Sequence, residues 1–300
     1  MEIGNSLSSS LPIQSALVVK VKDELFEVDH LSQFELCLQL DKSNFRFCII
    51  DSKNNRCLLL EEYNIGGKDD EVLDNLSNLF EEHSVLKAGF WKSVKLCIKN
   101  RNFTLVPVPF FKKENLKEYL QYNSLINEKE EALYYFKHIL LDSANIFSAP
   151  NKLVNWFKEQ YPTQNIQVIH QTSSFIEGIL RYHDHSDKKT MFILAEDHNL
   201  TILVTQDKNL LYCNQFHYKN SDEFLFYIVF VFSELHLQQN GSKVVIFGDL
   251  NYDSKVVDKL YKYFNQTSFG SKPPTLKFGF PFDELADHKY FDLYSTYLCQ

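Results

Sequence analysis

Apolar and polar positions alternate along the chain in two similar series. In the first, residues 34–40 (FELCLQL), 45–51 (FRFCIID) and 57–63 (CLLLEEY) are apolar or alternating, and the polar corners DKSN and SKNN separate them. This pattern predicts three strands joined by hairpins. A segment with helical spacing (DDEVLDNLSNLFEEH) and a further strand (SVKLCIK) follow.

The second series begins after a polar segment at residues 183–189 (HDHSDKK). It contains three strand-like segments at 190–197, 200–206 and 210–218, then a helix, the strand KVVIFG and the helix DSKVVDKLYKYF. The two series therefore predict tandem copies of one β-β-β-α-β-α unit. We expect a first domain at residues 17–187 and a second at 188–300.

The two series align at fixed positions. Asp41 matches Glu196 and Asn44 matches Asn199, which places the first hairpin of each copy at the same point. A tandem repeat of this kind indicates an α/β protein with two duplicated lobes.

Composition narrows the classes of partner. The chain has 300 residues, 44% of them hydrophobic, and a formal net charge of −8. The negative charge argues against a general nucleic-acid binder, which needs a basic face.

The longest apolar run, residues 224–232, has nine residues, whereas a membrane helix needs about 20. It predicts a buried helix with Ser221 or Asp222 as the N-cap.

The N-terminal segment has neither the basic region nor the continuous apolar region of a secretory signal, so we expect a cytoplasmic protein. The six cysteines form no C-x-x-C pair, and four lie in alternating apolar strands. They are expected to be small buried hydrophobic residues in a reducing compartment, with a zinc site as the alternative.

The repeated unit resembles the actin/Hsp70/sugar-kinase superfamily over about residues 30–265. The run from ANIFSAPNKLVNWFKEQYP through to MFILAEDHNLTILVTQ looks like the lobe junction of pilus-assembly and cell-division proteins of that superfamily. The segments FTLVPVPFF and FSAPNKLVNWF resemble more closely an uncharacterised Bacteroidetes family with an actin-like, ribonuclease H-like fold. The resemblance implies two lobes that face each other across a cleft.

The resemblance also indicates where a nucleotide would bind. The superfamily's phosphate loop carries an acid and then a glycine, which lets backbone N–H groups approach phosphate. Here Asp41 keeps the acid, but Ser43 stands where the glycine is needed. In the second copy Glu196 and His198 occupy the corresponding loop. The superfamily's adenosine-binding turn usually has two adjacent glycines, and here only Gly248 is present. The nucleotide loops are therefore expected to be degenerate.

Two further clusters have alternative interpretations. His183, Asp184, His185 and Asp187 are metal-capable residues, but a solvated turn is the other reading. Asp41, Asp51, Glu196 and Asp197 would suit acid–base chemistry if they paired across a cleft, whereas hairpin corners favour Asp for turn geometry.

The segment VPVPFF (residues 106–111) has two prolines and two adjacent phenylalanines. If it is exposed, it offers a docking edge for a partner, and if it is buried, it is a connecting strand. The aromatic C-terminal segment, with Phe291, Tyr294 and Leu298, predicts a final packed helix.

These features favour a non-catalytic cytoplasmic scaffold or adaptor that binds an unidentified protein partner. The alternative is an actin-like ATPase or kinase with an altered nucleotide pocket. We expect no catalytic residue, cofactor or metal, and neither nucleic-acid binding nor a membrane span.

Overall fold

The first sheet contains the predicted meander. The computed structural model describes residues 15–66, 69–182, 187–238 and 241–300. Three antiparallel strands are followed by two strands that run parallel to the first of them, in the order β4-β3-β2-β5-β9. An additional strand, β1, extends the edge beside β4. The strands are β1 (Ala16–Lys22), β2 (Glu35–Leu40), β3 (Asn44–Asp51), β4 (Arg56–Asn64), β5 (Ser93–Ile98) and β9 (Gln167–His170).

The second sheet repeats this arrangement. Its order is β12-β11-β10-β13-β14, with an antiparallel meander followed by parallel strands. The same five-strand order in both sheets confirms the predicted duplicated α/β fold. The strands are β10 (Thr190–Glu196), β11 (Asn199–Gln206), β12 (Asn209–His217), β13 (Lys243–Gly248) and β14 (Thr267–Phe269).

The strand register agrees with the alignment of the two copies. In the first sheet Leu40 is paired with Phe45, and in the second Ala195 is paired with Leu200. The next residue along the chain is in each case the acid that the sequence alignment matched, Asp41 in the first hairpin and Glu196 in the second.

Helices cover the outer faces of both sheets, and two more lie between them. Helices α1 and α3 pack on the first sheet, and α5 and α6 on the second. Helix α4 packs its apolar side chains on the second sheet, whereas α7 packs on the first. The helices are α1 (Asp69–Glu82), α2 (Leu116–Leu120), α3 (Asn151–Gln160), α4 (Gln171–Tyr182), α5 (Ser221–Glu234), α6 (Lys255–Tyr263) and α7 (Phe291–Ser295).

The two inner helices contact each other closely. A Cβ atom at Gly178 of α4 would lie 2.2 Å from Ser295 Oγ of α7, so only glycine fits there. The side chains of α7 and the turn after it are buried, as predicted for the C-terminal segment. The domain division at residues 187 and 188 stays a prediction, and α7 follows it in sequence while packing on the first sheet.

A small sheet is inserted between β5 and β9. Its order is β6-β8-β7, and all its pairs are antiparallel. The VPVPFF segment lies at its edge: Val106 is buried, Phe110 is 71% exposed and Phe111 packs against the ring of Tyr135. The segment is thus partly exposed and partly buried, and its use as a docking edge stays a prediction. The strands are β6 (Phe103–Pro107), β7 (Glu131–Lys137) and β8 (Ser143–Pro150).

The prediction of a buried helix at residues 224–232 was wrong for one face of α5. Phe224 and Ile228 are buried, but Phe226 is 63% exposed and Phe230 is also exposed. The N-cap is Asn220, one residue earlier than predicted, because its side chain accepts the N–H groups of residues 222 and 223. Within the described ranges, no helix has the length and apolar character needed to cross a bilayer.

Cysteine side chains lie mostly in the interior, as the sequence predicted. Five are buried and Cys213 is partly buried. Burial raises the pKa of the thiols of Cys97 and Cys213 to about 12, so both stay protonated at neutral pH.

Candidate functional site

The first hairpin uses its own carboxylate to bind its backbone N–H groups. Asp41 Oδ1 accepts the N–H of Ser43 and the N–H of Asn44, each at 2.7 Å. The carbonyl of Ser43 accepts the N–H of Ile65. The amides that a phosphate loop would present are therefore already engaged in an Asx turn.

The second hairpin directs its two predicted site residues to opposite sides. Glu196 ends β10 and is buried. His198 lies in the turn, where its mostly exposed ring makes edge contacts with His217 and Tyr218. Asp197 beside it has φ of +49°, which is typical of Asp in a tight hairpin turn. Only Glu196 points into the space between the lobes.

Gly248 is required by the fold. It has φ of +98°, and a Cβ atom there would lie 2.1 Å from the carbonyl oxygen of Ala195. Its N–H donates to the carbonyl of His288 at 3.1 Å, and the next N–H, of Asp249, donates to Ala195 at 2.7 Å. A ligand would therefore find neither amide free at this turn.

Arg46 is the centre of the site, although no sequence pattern singled it out. It lies on β3 and is buried. Nε donates to Glu62 Oε1 at 2.7 Å, Nη1 to Glu196 Oε1 at 2.6 Å and Nη2 to Asp249 Oδ2 at 3.1 Å. Its guanidinium carbon also lies 5.4 Å from the centre of the Tyr290 ring. All three guanidinium nitrogens therefore bind carboxylates, two of which belong to the second lobe.

Lys99 joins the two hairpins. Its Nζ lies 2.8 Å from Glu196 Oε2 and 3.4 Å from Asp41 Oδ2. The two acids at equivalent positions of the duplicated unit thus share one buried cation. Asp41 and Glu196 do come together, but through a lysine, and Asp41 is at the same time a hairpin corner.

Strand register explains why Lys99 and Asp249 face the same cleft. Leu40 is paired with Ile98, and Ala195 with Gly248. Lys99 and Asp249 therefore occupy equivalent positions, directly after the fourth strand of each unit. The first lobe contributes a cation there and the second an anion.

The other two predicted acids remain at turns. Asp51 Oδ1 accepts the N–H groups of Lys53 and Asn54, which closes the corner between β3 and β4. Asp197 is exposed, and its carbonyl accepts the hydroxyl of Tyr218. For these two residues the reading as hairpin corners is correct.

The deep end of the site is closed by the C-terminal segment. Asp292 Oδ2 accepts N–H groups from Gln39 at 2.7 Å and from Gln171 at 2.8 Å. Gln171 Nε2 also donates to Glu196. Tyr290 donates its hydroxyl to Glu62 Oε2 at 2.6 Å.

Buried charges shift two carboxyl pKa values in opposite directions. Burial by itself would raise the pKa of Glu196, but Lys99 and Arg46 together lower it to about 2. Burial and the nearby charge of Glu196 raise the pKa of Asp292. Glu196 is therefore ionised at neutral pH, whereas Asp292 resists ionisation.

Lys289 Nζ lies 3.4 Å from Asp249 Oδ1 and 3.5 Å from Glu62 Oε2. We call the side chains that all these contacts join the interlobe network. It holds three basic groups and five carboxyl groups, so a further anion would meet a surplus of acids. These residues do not fit a nucleoside triphosphate, because the cations are paired and the loop amides are engaged. The members are Arg46, Lys99, Lys289, Asp41, Glu62, Glu196, Asp249 and Asp292, with Gln39, Gln171 and Tyr290 as hydrogen-bond partners.

Metal-capable residues form no cluster of three or more among the described residues. Three residues of the predicted cluster, His183, Asp184 and His185, lie outside those ranges. Asp187 lies inside them, and its carbonyl accepts a hydrogen bond from Gln206.

Comparisons with known proteins identify the fold. A protein of Bacteroides thetaiotaomicron with an actin-like ATPase fold and unknown function matches with a TM-score of 0.78 at 20% identity, over 92% of this chain and 100% of that one. The structure of the PilM-PilN type IV pilus biogenesis complex matches with a TM-score of 0.58 at 9% identity, over 88% of this chain and 97% of that one.

At the level of sequence, no curated protein matches the chain. The family DUF3822, described as a protein of unknown function, matches residues 23–267. That range includes both meanders and most of the interlobe network. The chain therefore belongs to the DUF3822 family, and it has the two-lobed actin-like ATPase fold.

Proposed function

We propose that this protein is a non-catalytic scaffold or adaptor, in which an internal ion-pair network takes the place of a nucleotide. The observation that carries the proposal is that Arg46 donates to carboxylates of both lobes at 2.6–3.1 Å. A phosphate needs backbone N–H groups and cations that are not already engaged by other anions. Here they bind the protein itself.

The free-energy cost of separating these ion pairs supports this interpretation. Removing one partner from a buried ion pair costs about 3–5 kcal/mol. A nucleotide would have to separate both Arg46 and Lys99 from their carboxylates. That cost is comparable with the total binding free energy of about 8 kcal/mol that corresponds to a micromolar Kd.

A protein partner is the second part of the proposal. The PilM-PilN type IV pilus biogenesis complex contains a chain with a similar fold, so the architecture is compatible with work through protein contacts. The net charge of −8 argues for a protein partner rather than nucleic acid. A cytoplasmic location is part of the same proposal.

A thermal-shift titration with Mg·ATP, ADP and GTP tests the first part. A ligand present at 100 times its Kd stabilises a protein by about 2.7 kcal/mol, which raises Tm by about 5–10 °C in a chain of this size. We expect no nucleotide to change Tm. A saturable rise that disappears in Asp41→Ala would instead support an actin-like ATPase or kinase with an altered pocket.

A further inference from the structure

A groove of about 1180 Å³ lies between the inserted sheet and the second lobe. Its walls come from four segments, at residues 101–107, 122–125, 141–143 and 209–215. The first wall contains β6 and the last contains most of β12. None of the charged members of the interlobe network lines it.

Both strands that flank the groove are at the edge of a sheet. β6 is paired with β8 alone, and β12 with β11 alone, among the strands of the described residues. One side of each strand therefore carries backbone groups that no neighbouring strand satisfies. An extended polypeptide can use such an edge by adding a strand to it.

The walls of the groove are almost uncharged. Arg101 and Asp142 are the only charged residues among those that line it, and neither β6 nor β12 contains Lys, Arg, Asp or Glu. Native edge strands usually carry such charges, which block pairing. The composition of the walls favours an uncharged occupant.

Large apolar side chains are exposed around the groove. Tyr122 is 83% exposed, Leu125 99% and Leu211 42%. Ile139 and Leu140, which directly precede a groove residue, are exposed as well. Apolar groups concentrated at the rim of a groove are typical of a protein-binding site.

We propose that this groove binds an extended, uncharged segment of a partner protein, which adds a strand to the free edge of β12 with alternate apolar side chains against the groove. The inference rests on the proposed scaffold function and names the binding site for its partner. β12 supplies seven consecutive lining residues, 209–215, which is enough to pair with a segment of about five to seven residues. The groove is larger than the usual volume of a small-molecule site, about 300–1,000 Å³.

Panning of a phage-displayed library of random 12-residue peptides against the immobilised full chain tests the proposal. We expect enriched peptides to have apolar residues at alternate positions and few charges. A synthetic copy of the most enriched peptide should bind with a Kd of about 10 µM or lower. Leu211→Asp and Tyr122→Asp should each weaken that binding about tenfold, whereas Phe90→Asp, at an exposed apolar residue elsewhere, should leave it unchanged.

Strand addition has its own signature. N-methylation of the peptide at alternate residues removes the N–H groups that face one strand edge. One set of positions should abolish binding, and the complementary set should have little effect. Equal effects of both sets would overturn strand addition.

Other outcomes are equally decisive. Failure to enrich any peptide, or enrichment of peptides that bind Leu211→Asp and Tyr122→Asp as well as the unaltered chain, would overturn the groove as the site. Binding that Phe226→Asp abolishes instead would assign it to the exposed face of α5. These results do not depend on nucleotide, so the groove and the non-catalytic interpretation can fail separately.

Discussion

Arg46 Nη1 and Glu196 Oε1 lie 2.6 Å apart, although 150 positions separate the two residues in the sequence. One belongs to the first lobe and the other to the second. Their contact connects the lobes between the two hairpins whose acidic residues, Asp41 and Glu196, share Lys99.

Replacing Arg46 should destabilise the protein strongly. Arg46→Met leaves Glu62, Glu196 and Asp249 without their shared cation, at a cost of about 3–5 kcal/mol. Chemical denaturation measures the free energy of unfolding. Arg101→Met, which removes an exposed arginine, is the control and should change it by less than about 0.5 kcal/mol. Equal effects of the two variants would contradict the central role of Arg46.

Low pH should lower the free energy of unfolding, because it protonates Glu196. Its pKa is about 2 in the folded protein and 4.5 ordinarily. Because the folded value is the lower one, its contribution to stability is complete above about pH 5 and is lost as the pH falls towards 2. The loss is about 3 kcal/mol, by 1.36 kcal/mol for each pKa unit.

Glu196→Gln should therefore lower stability at pH 7 and flatten the decline in stability between pH 5 and 2. Unfolding free energies measured over that pH range give both quantities. Glu81→Gln, at an exposed position of α1, is the matched control and should keep the slope of the unaltered protein. An unchanged slope in Glu196→Gln would contradict the lowered pKa.

Asp292 should behave in the opposite way. Burial raises its pKa, so its ionisation costs folding free energy as the pH rises above its ordinary value of 3.8. Asp292→Asn keeps an oxygen to accept from Gln39 and Gln171. We expect this variant to gain stability relative to the unaltered protein between pH 3 and 7, because the amide has no charge to bury. A relative loss over that range would show that the carboxylate is needed in its charged form.

Gly248→Ala should disrupt the turn after β13. The substitution places a methyl group 2.1 Å from the carbonyl oxygen of Ala195 at a φ of +98°. The strain at that φ and the clash together should cost about 3 kcal/mol or prevent folding. Gly89→Ala is the control, since its Cβ would meet no atom within 4 Å. Thermal unfolding of both variants measures the difference, and similar Tm values would contradict the strain argument.

The duplication could be derived from the sequence because strand periodicity and turn chemistry are local. Alternation in residues 34–63 and 190–218 fixed both meanders, and the match of Asp41 with Glu196 agrees with the register of the two hairpins. β1, β7 and β14 were not predicted. β1 is an edge strand with several exposed apolar residues, and β14 has only three residues.

The interlobe network was largely beyond sequence reasoning. Arg46 and Glu196 are 150 residues apart, and Gln39 and Asp292 are 253 apart. Periodicity cannot place such pairs together, because only the packing of the two lobes does so. One signal was present: Arg46 is the only charged residue in the interior of β3, whose other interior residues are apolar, and buried charges need a partner.

Equilibrium dialysis of the purified chain against radiolabelled Mg·ATP tests the central claim most directly. If the protein's own carboxylates hold Arg46 and Lys99, we expect no saturable binding of nucleotide up to about 1 mM, a concentration that corresponds to only about −4 kcal/mol. Saturable binding of one nucleotide per chain, with a Kd below about 100 µM and loss of that binding in Arg46→Met and Lys99→Met variants that remain folded, would contradict it.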